Sequence, residues 1–427
     1  LEGIAVTADP TTGLRAWDLK TKQLMAQVRL QQGDSCALPS CMALDDQNLQ
    51  QKRLDIAVGF TDGSFGTWQL HIEQKQIARR YRHEGSSSGE IVGVSFLYPY
   101  LLTATKSVLI SVYTFDRPPP SNRLDCCEEA EADSEREKDI ESEILQESDP
   151  EPYAHVNPSR QDVPKDILND EEVESHLKPC APYLLTSLRS HTTRAPLALS
   201  LRKTAGSTVA SIAYTFSTIR GWSLGIQELH IRPTKSRLDL RPEITTTQLA
   251  YTLPVQRTST PMPSPPSSPA RQSELHIEEY GQFDGPISLS YTHPYLLATL
   301  PDNTLVLHRC TSSSSSLSIS PGIRLWGHTS GISDAEITAR GKAVSVSSRG
   351  EEIRVWELEG RTNGRSVEVR PITKSIAEDA PSERLPQDHS AVQWDDRRNW
   401  VGFDDEMVIV LKESSEGRES LLVYDFT

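Results

Sequence analysis

The chain has 427 residues, and 44 basic against 59 acidic side chains leave a formal charge of -15, which argues against a protein that tracks nucleic-acid phosphates. No run of about 18 apolar residues is present to cross a bilayer as a helix, and the opening Leu1-Glu2-Gly3-Ile4 has the form of no secretory leader, so no membrane is expected as a partner. Hydrophobic residues make up only 36% of the chain, below the ~45–50% of compact domains, so part of the chain is expected to lie outside any core.

Ile4-Ala5-Val6 reads as a strand at the very start with no initiator Met before it, so the numbering is expected to begin inside a longer polypeptide. Residues 1–116 then alternate strand and turn, with Thr61-Asp62-Gly63 as a clear tight turn. Six cysteines (Cys36, Cys41, Cys126, Cys127, Cys180, Cys310) form neither a C-x-x-C pair nor a dense disulfide framework. A reducing cytoplasmic or nuclear setting is the expectation, with no zinc site at Cys36 and Cys41 and no cofactor.

Residues 117–180 change character: Pro118-Pro119-Pro120 leads into Glu128-Glu129-Ala130-Glu131-Ala132-Asp133-Ser134-Glu135 and on to Asp170-Glu171-Glu172. So much charge with so few aromatics cannot offset chain entropy by burial, so a disordered acidic insertion is predicted, with at most a nascent helix over 134–146. Strand patterning resumes over 181–253. A Pro/Ser-rich stretch, 254–274, follows, whose prolines remove backbone donors; it is predicted as a disordered surface loop. Residues 275–427 return to strands, with turns at Pro301-Asp302-Asn303 and Arg349-Gly350-Glu351. Hardly any segment has helical period, and an all-β fold is predicted.

One motif recurs through this pattern. It stands at Leu14-Arg15-Ala16-Trp17-Asp18-Leu19, Phe65-Gly66-Thr67-Trp68-Gln69-Leu70, Ile353-Arg354-Val355-Trp356-Glu357-Leu358 and Leu421-Leu422-Val423-Tyr424-Asp425-Phe426. Weaker copies centred on Val112, Gln227 and His308 bring the number to seven, and it is read as the outer segment of a repeating unit. Trp17 to Trp68 is 51 residues and His308 to Trp356 is 48, near the ~40–45 of a four-stranded blade. With Trp-Asp closing a strand and Gly327-His328 ahead of Trp356, the chain resembles the WD-repeat family. That resemblance implies a β-propeller of about seven four-stranded blades, in which a buried His, a turn Asp, a Ser or Thr and a Trp join strands by hydrogen bonds. Carried over by position, Trp17, Asp18, Asp62, Trp68, Asp302, His328 and Trp356 are the structural repeat residues; Gly350 stands where the last good repeat should have its Asp, and Val112 and Gln227 where Trp belongs.

The carboxyl-terminal run from Trp400-Val401-Gly402-Phe403 through Leu422-Val423-Tyr424-Asp425-Phe426-Thr427, with Tyr98-Pro99-Tyr100-Leu101-Leu102 and His293-Pro294-Tyr295-Leu296-Leu297, is similar to the endings of fungal F-box proteins that carry a degenerate WD-repeat propeller. The resemblance implies a substrate-recruiting propeller, docked through an F-box upstream of this chain on the Skp1 adaptor of a cullin-based SCF ubiquitin ligase. A WD-repeat scaffold of another intracellular complex is the alternative it leaves open.

No nucleophile elbow, phosphate loop, H-E-x-x-H or dinucleotide fingerprint is present, so no enzyme is expected. Asp404, Asp405 and Glu406 read as a charged turn, and Trp394 and Trp400 as core residues at strand ends. Arg202, Arg220 and Arg349 lie near loop positions from which arginines can clamp a phosphorylated peptide, and at least one is expected to cluster with another at the channel mouth. Thr260, Ser264 and Ser268 precede prolines, and Ser134 and Ser148 precede acidic residues, as kinase acceptors do.

Overall fold

Apolar residues at a period of two, interrupted every six to eight residues by Gly, Asp or Asn, fold here as short antiparallel strands. The computed structural model describes residues 3–30, 37–85, 88–116, 181–190, 193–233, 242–256, 285–348, 352–358, 365–369, 400–403, 407–413 and 419–425. Among these the one helical turn is the 3-10 turn Leu49–Gln51, and everything else regular is strand.

The strands form seven meander sheets, the blades of a β-propeller. Blade 1 holds β1 (Ile4–Asp9), β2 (Gly13–Asp18) and β3 (Gln23–Val28); blade 2 holds β4 (Pro39–Asp45), β5 (Arg53–Phe60), β6 (Phe65–His71) and β7 (Gln76–His83). Blade 3 comprises β8 (Ile91–Leu97), β9 (Tyr100–Thr105), β10 (Leu109–Thr114) and β11 (Tyr183–Arg189). In blade 4, β12 (Thr193–Thr204), β13 (Ser207–Thr218) and β14 (Gly221–Arg232) are each 12 residues long, and β15 (Glu243–Tyr251) and β16 (Val255–Gln256) both pair with β14. Blade 5 has β17 (Ser288–Thr292), β18 (Tyr295–Thr299), β19 (Leu305–Ser312), β20 (Leu317–Ile319) and β21 (Ile323–Leu325). Blade 6 has β22 (Ile332–Ile337), β23 (Lys342–Ser347), β24 (Ile353–Glu357) and β25 (Arg365–Val369), and blade 7 has β26 (Trp400–Phe403), β27 (Met407–Glu413) and β28 (Glu419–Asp425).

The first strands β4, β8, β12, β17, β22 and β26 each pack against the preceding blade. Met407 Cε of blade 7 approaches Gly3 at the start of β1, which brings the last blade to the first. A lone four-stranded sheet exposes two apolar faces, and the ring covers both. Accordingly each of the six apolar clusters spans two consecutive blades, from Leu14 with Trp68 between blades 1 and 2 to Val346 with Val410 between blades 6 and 7.

All seven copies of the sequence motif fall in strands: β2, β6, β10, β14, β19, β24 and β28. Where a blade shows four strands, the motif strand is the third and another lies outside it, so the motif is not the outermost segment that the sequence suggested. An outer strand follows only after a turn, and its sequence varies too much from blade to blade to repeat visibly. The Pro/Ser stretch also begins later than expected, because Val255 and Gln256 extend blade 4 by pairing with Trp222 and Gly221. Residues 117–180, with the predicted helix, lie outside the described residues, as do 257–284 and the turn at 349–351.

Trp68 and Trp356 are each 1% exposed and are the two largest fully buried side chains. Trp356 Nε1 donates to Ser345 Oγ at 2.8 Å on the adjacent strand, and Trp17 Nε1 donates to Thr7 Oγ1 at 3.1 Å. Both acceptors lie two residues beyond the partner directly opposite the indole, which is Ala343 for Trp356 and Ala5 for Trp17. In blade 2 that position, two beyond Ile56, is Val58, and the buried Trp68 Nε1 has no partner among the described residues.

Candidate interaction faces

Because each blade is a meander, its turns alternate between the two ends of the ring. Turns between second and third strands share an upper face with the connections from one blade to the next; turns between first and second, or third and fourth, strands form the lower face. Asp62 and Asp302 sit on upper turns, where each closes its own turn: Asp62 Oδ1 accepts from Ser64 N at 2.9 Å and Ser64 Oγ at 2.6 Å, and Asp302 Oδ1 accepts from the backbone and hydroxyl of Thr304. Asp9, which the sequence reading missed, does the same in blade 1 with Thr11 and Thr12, and these donors outweigh burial to hold its carboxyl well below the usual range. Asp18 accepts from the backbone of Lys20 at 2.9 Å and of Thr21 at 3.3 Å on the exposed turn between β2 and β3.

His328 is the one histidine of the repeat pattern, and its side chain is fully enclosed. Nε2 lies 2.6 Å from Ser345 Oγ, the same hydroxyl that receives Trp356, so His, Ser and Trp form one chain across blade 6. The expected turn Asp is absent at Gly350, and the carboxylate beside Nδ1 comes instead from Glu352, whose Oε2 is 3.4 Å away. Glu352 also accepts from Thr329 N at 3.2 Å and Arg354 Nε at 2.6 Å; burial works against its charge, but these donors hold it below its ordinary value. Burial pushes the His328 imidazole down, and Glu352 only partly offsets this, so the ring is neutral at pH 7.

Blade 4 solves the same problem with charge. Glu228 is fully buried, and both its oxygens accept from Arg202 NH2, at 3.0 Å and 3.1 Å. Ser211 Oγ donates at 3.2 Å, Ser312 Oγ at 2.5 Å and Tyr291 OH at 3.4 Å, the last two from blade 5. Burial opposes the Glu228 charge, yet the donors, Ser312 and Arg202 foremost, keep its pKa lowered. Arg202 thus faces inward to a carboxylate on the lower half of the blade, whereas Arg220 lies exposed on the upper turn. Arg202 pairs with Val209, and Val209 to Thr218 is roughly 30 Å of strand, so the two arginines do not cluster. Arg349 lies outside the described residues, as do Ser134, Ser148, Thr260, Ser264, Ser268, Asp404, Asp405, Glu406 and Trp394; Trp400 opens β26.

Cys41 and Cys310 are free thiols, and burial pushes both up to about 12, which keeps them protonated and unreactive. Cys36 lies outside the described residues, and no cluster of three or more His, Cys, Asp or Glu converges among the described residues. No helix is long and apolar enough to cross a membrane among them either. Among the described residues a cleft of about 510 Å³ lies between blades 3 and 4 and includes Ile110, Leu188, Tyr214, Phe216, Leu249 and Tyr251, with Arg189 at its upper end. Leu249 and Tyr251 are 49% and 54% exposed, and Phe216 stands edge-on to Tyr251 at 5.5 Å.

The chain resembles known proteins over different lengths. It is 38% identical over 78 residues to the F-box protein pof12 of Schizosaccharomyces pombe, a stretch covering 18% of this chain and 17% of that protein. Similar solved structures include Raptor from Chaetomium thermophilum (9% identity, all of this chain and 27% of that one, TM-score 0.48) and Hsv2 from Kluyveromyces lactis (8% identity, 99% and 95%, TM-score 0.43). The family model described as the F-box protein pof12 beta-propeller matches residues 1–427, from the first blade to the last. With seven consecutive blades inside that span, the chain belongs to the pof12-type F-box protein β-propeller family.

Proposed function

We propose that this propeller is the substrate-recognition part of an F-box subunit of an SCF-type ubiquitin ligase, acting without catalysis or cofactor in the cytoplasm or nucleus. Membership of a family of F-box propellers carries the reading. The architecture supports it: a ring of rigid sheets holds turns at fixed positions on two faces, so a bound segment need not order them. In this scheme an F-box outside the present sequence engages the Skp1 adaptor and, through it, the cullin, while the propeller presents the protein to be modified. Arg220, on the upper turn of blade 4, and Arg349 are the candidates to meet a phosphorylated partner. Thr260, Ser264, Ser268, Ser134 and Ser148 are proposed acceptors for regulatory phosphate.

The test is co-purification of the full-length protein, scored for the Skp1 adaptor and the cullin. Both are expected in stoichiometric amounts; an intact protein that brings down neither would overturn the ligase reading and leave a scaffold of another complex. An Arg220→Ala, Arg349→Ala double variant with undiminished substrate capture would remove the phosphate clamp. Phosphopeptide mapping that found all five acceptors empty would remove the regulatory sites.

A further inference from the structure

The cleft between blades 3 and 4 lies at a place where two other blades carry an indole. In blade 2, Trp68 lies opposite Ile56 and fills the space toward blade 1, among Leu14 and Ala16; in blade 6, Trp356 fills the space toward blade 5, among Leu297 and Leu307. Gln227 holds the corresponding place in β14, opposite Ile212 and two residues after Gly225, as Trp68 is two after Gly66. In blade 2 the glycine is covered by the indole: a Cβ on Gly66 would lie 2.5 Å from Trp68 Cη2. In blade 4 the phenol of Tyr214, from the neighbouring strand, covers it instead, and a Cβ on Gly225 would lie 2.6 Å from Tyr214 Cζ. Tyr214 thereby replaces the contact with the glycine but leaves open the space in front of Gln227, toward Ile110 and Leu188 of blade 3.

That space is chemically selective. Among the described residues its lining joins aliphatic and aromatic side chains to Gln227, Ser190 and Thr193, no Asp or Glu contributes to it, and Arg189 is its one charged group. Arg189 is exposed and forms no ion pair among the described residues. At contact range, a cleft whose one charged lining residue is a cation favours an acidic ligand over a basic one. At about 510 Å³ it holds two or three large side chains.

We propose that this cleft binds an extended acidic–apolar segment of a partner protein. A bulky apolar side chain enters the space that Tyr214 leaves open in front of Gln227, and a neighbouring carboxylate meets Arg189. The half-exposed Leu249 and Tyr251 form the wall over which the segment runs. The proposal rests on the reading of the propeller as an interaction platform and names its docking site.

A library of random nine-residue peptides displayed on phage, selected on the wild-type chain, supplies the probe, and the tightest peptide is then measured by fluorescence anisotropy. Selected peptides are expected to combine Asp or Glu with Phe, Leu or Trp. Gln227→Trp places an indole in the open part of the cleft beside Tyr214, and in a protein that still unfolds cooperatively it is expected to weaken the peptide at least tenfold. Arg189→Glu is expected to weaken it comparably and to accept a version with Lys in place of its acidic residues. Selected peptides without acidic residues, or binding unchanged in a folded Gln227→Trp protein, would overturn the proposal. So would a wild-type chain that binds only after removal of residues 118–179 or 258–283, since the cleft would then belong to the chain's own segments. Full-length Gln227→Trp should still carry the Skp1 adaptor, so loss of the peptide site and failure of the ligase reading are separately visible.

Discussion

Blades 4 and 6 fasten their strands with opposite chemistries. Blade 6 runs a neutral chain, His328 to Ser345 to Trp356, almost entirely within one sheet. Blade 4 lacks His and Trp at those places and relies on Glu228 and Arg202, with Ser312 and Tyr291 reaching in from blade 5. The first device rigidifies a blade; the second fixes a blade to its neighbour. Degeneracy of a repeat therefore need not loosen the ring, provided the lost internal bonds are replaced by bonds across the seam.

The comparison is most sharply broken at Glu228. Glu228→Ala leaves Arg202, only 21% exposed, without its counter-ion and takes an acceptor from Ser211, Ser312 and Tyr291, so a loss of about 3–5 kcal/mol is expected in denaturant unfolding. Arg202→Met in the same chain should recover part of it, because the uncompensated cation is then gone; no recovery would mean that packing, not charge, holds the seam. In blade 6 the matching break is Ser345→Ala, which strips partners from both Trp356 Nε1 and His328 Nε2 and is expected to cost about 2 kcal/mol. Blade 2 offers the reverse experiment. Val58→Thr places a hydroxyl where Thr7 and Ser345 stand and should give Trp68 Nε1 an acceptor, raising stability by about 1 kcal/mol, whereas a buried Val→Thr exchange normally lowers it.

Acid distinguishes the two blades at smaller amplitude. His328 resists protonation in the folded protein through burial, while the unfolded chain takes up its proton near 6.5. The contribution of blade 6 is therefore full above 6.5 and declines as pH falls below it. The Glu228 pKa is lowered on folding, so its contribution is full above 4.5 and is lost only below that value. Hydrogen exchange at pH 7, 5.5 and 4 should show blade 6 losing protection before blade 4; simultaneous loss would contradict the assignment.

How much of this was legible follows the range of the interactions. Trp17, Trp68 and Trp356 announce the strands β2, β6 and β24 because an indole recurs at a fixed local spacing, and even Val112, Gln227 and His308 fall in the strands β10, β14 and β19. The Glu228 cluster was invisible: Ser312 lies 84 residues away and Tyr291 63, with no local pattern to connect them. Glu352 escaped notice because the eye looks for Asp at Gly350, and a side chain one methylene longer reaches the histidine from two residues further on. Arg202 looked like a surface residue since no sequence rule shows that a carboxylate on the third strand lies beneath it. The cleft was half legible, since Gln227 was visible as a missing Trp, but that Tyr214 would cover the glycine and leave the rest open depends on packing alone.

The ladder between β10 and β11 forms although residues 115–182 intervene: with one register shift between Val112 and Tyr113, Thr114 still pairs with Tyr183. By the logarithmic growth of loop-closure entropy, a connection of that length costs only about 2.5 kcal/mol more than a four-residue turn. An edge hairpin can therefore acquire a long acidic passenger while the ring keeps its registration, and the lower side of blade 3 is a place where new sequence can be added to this architecture without redesigning it.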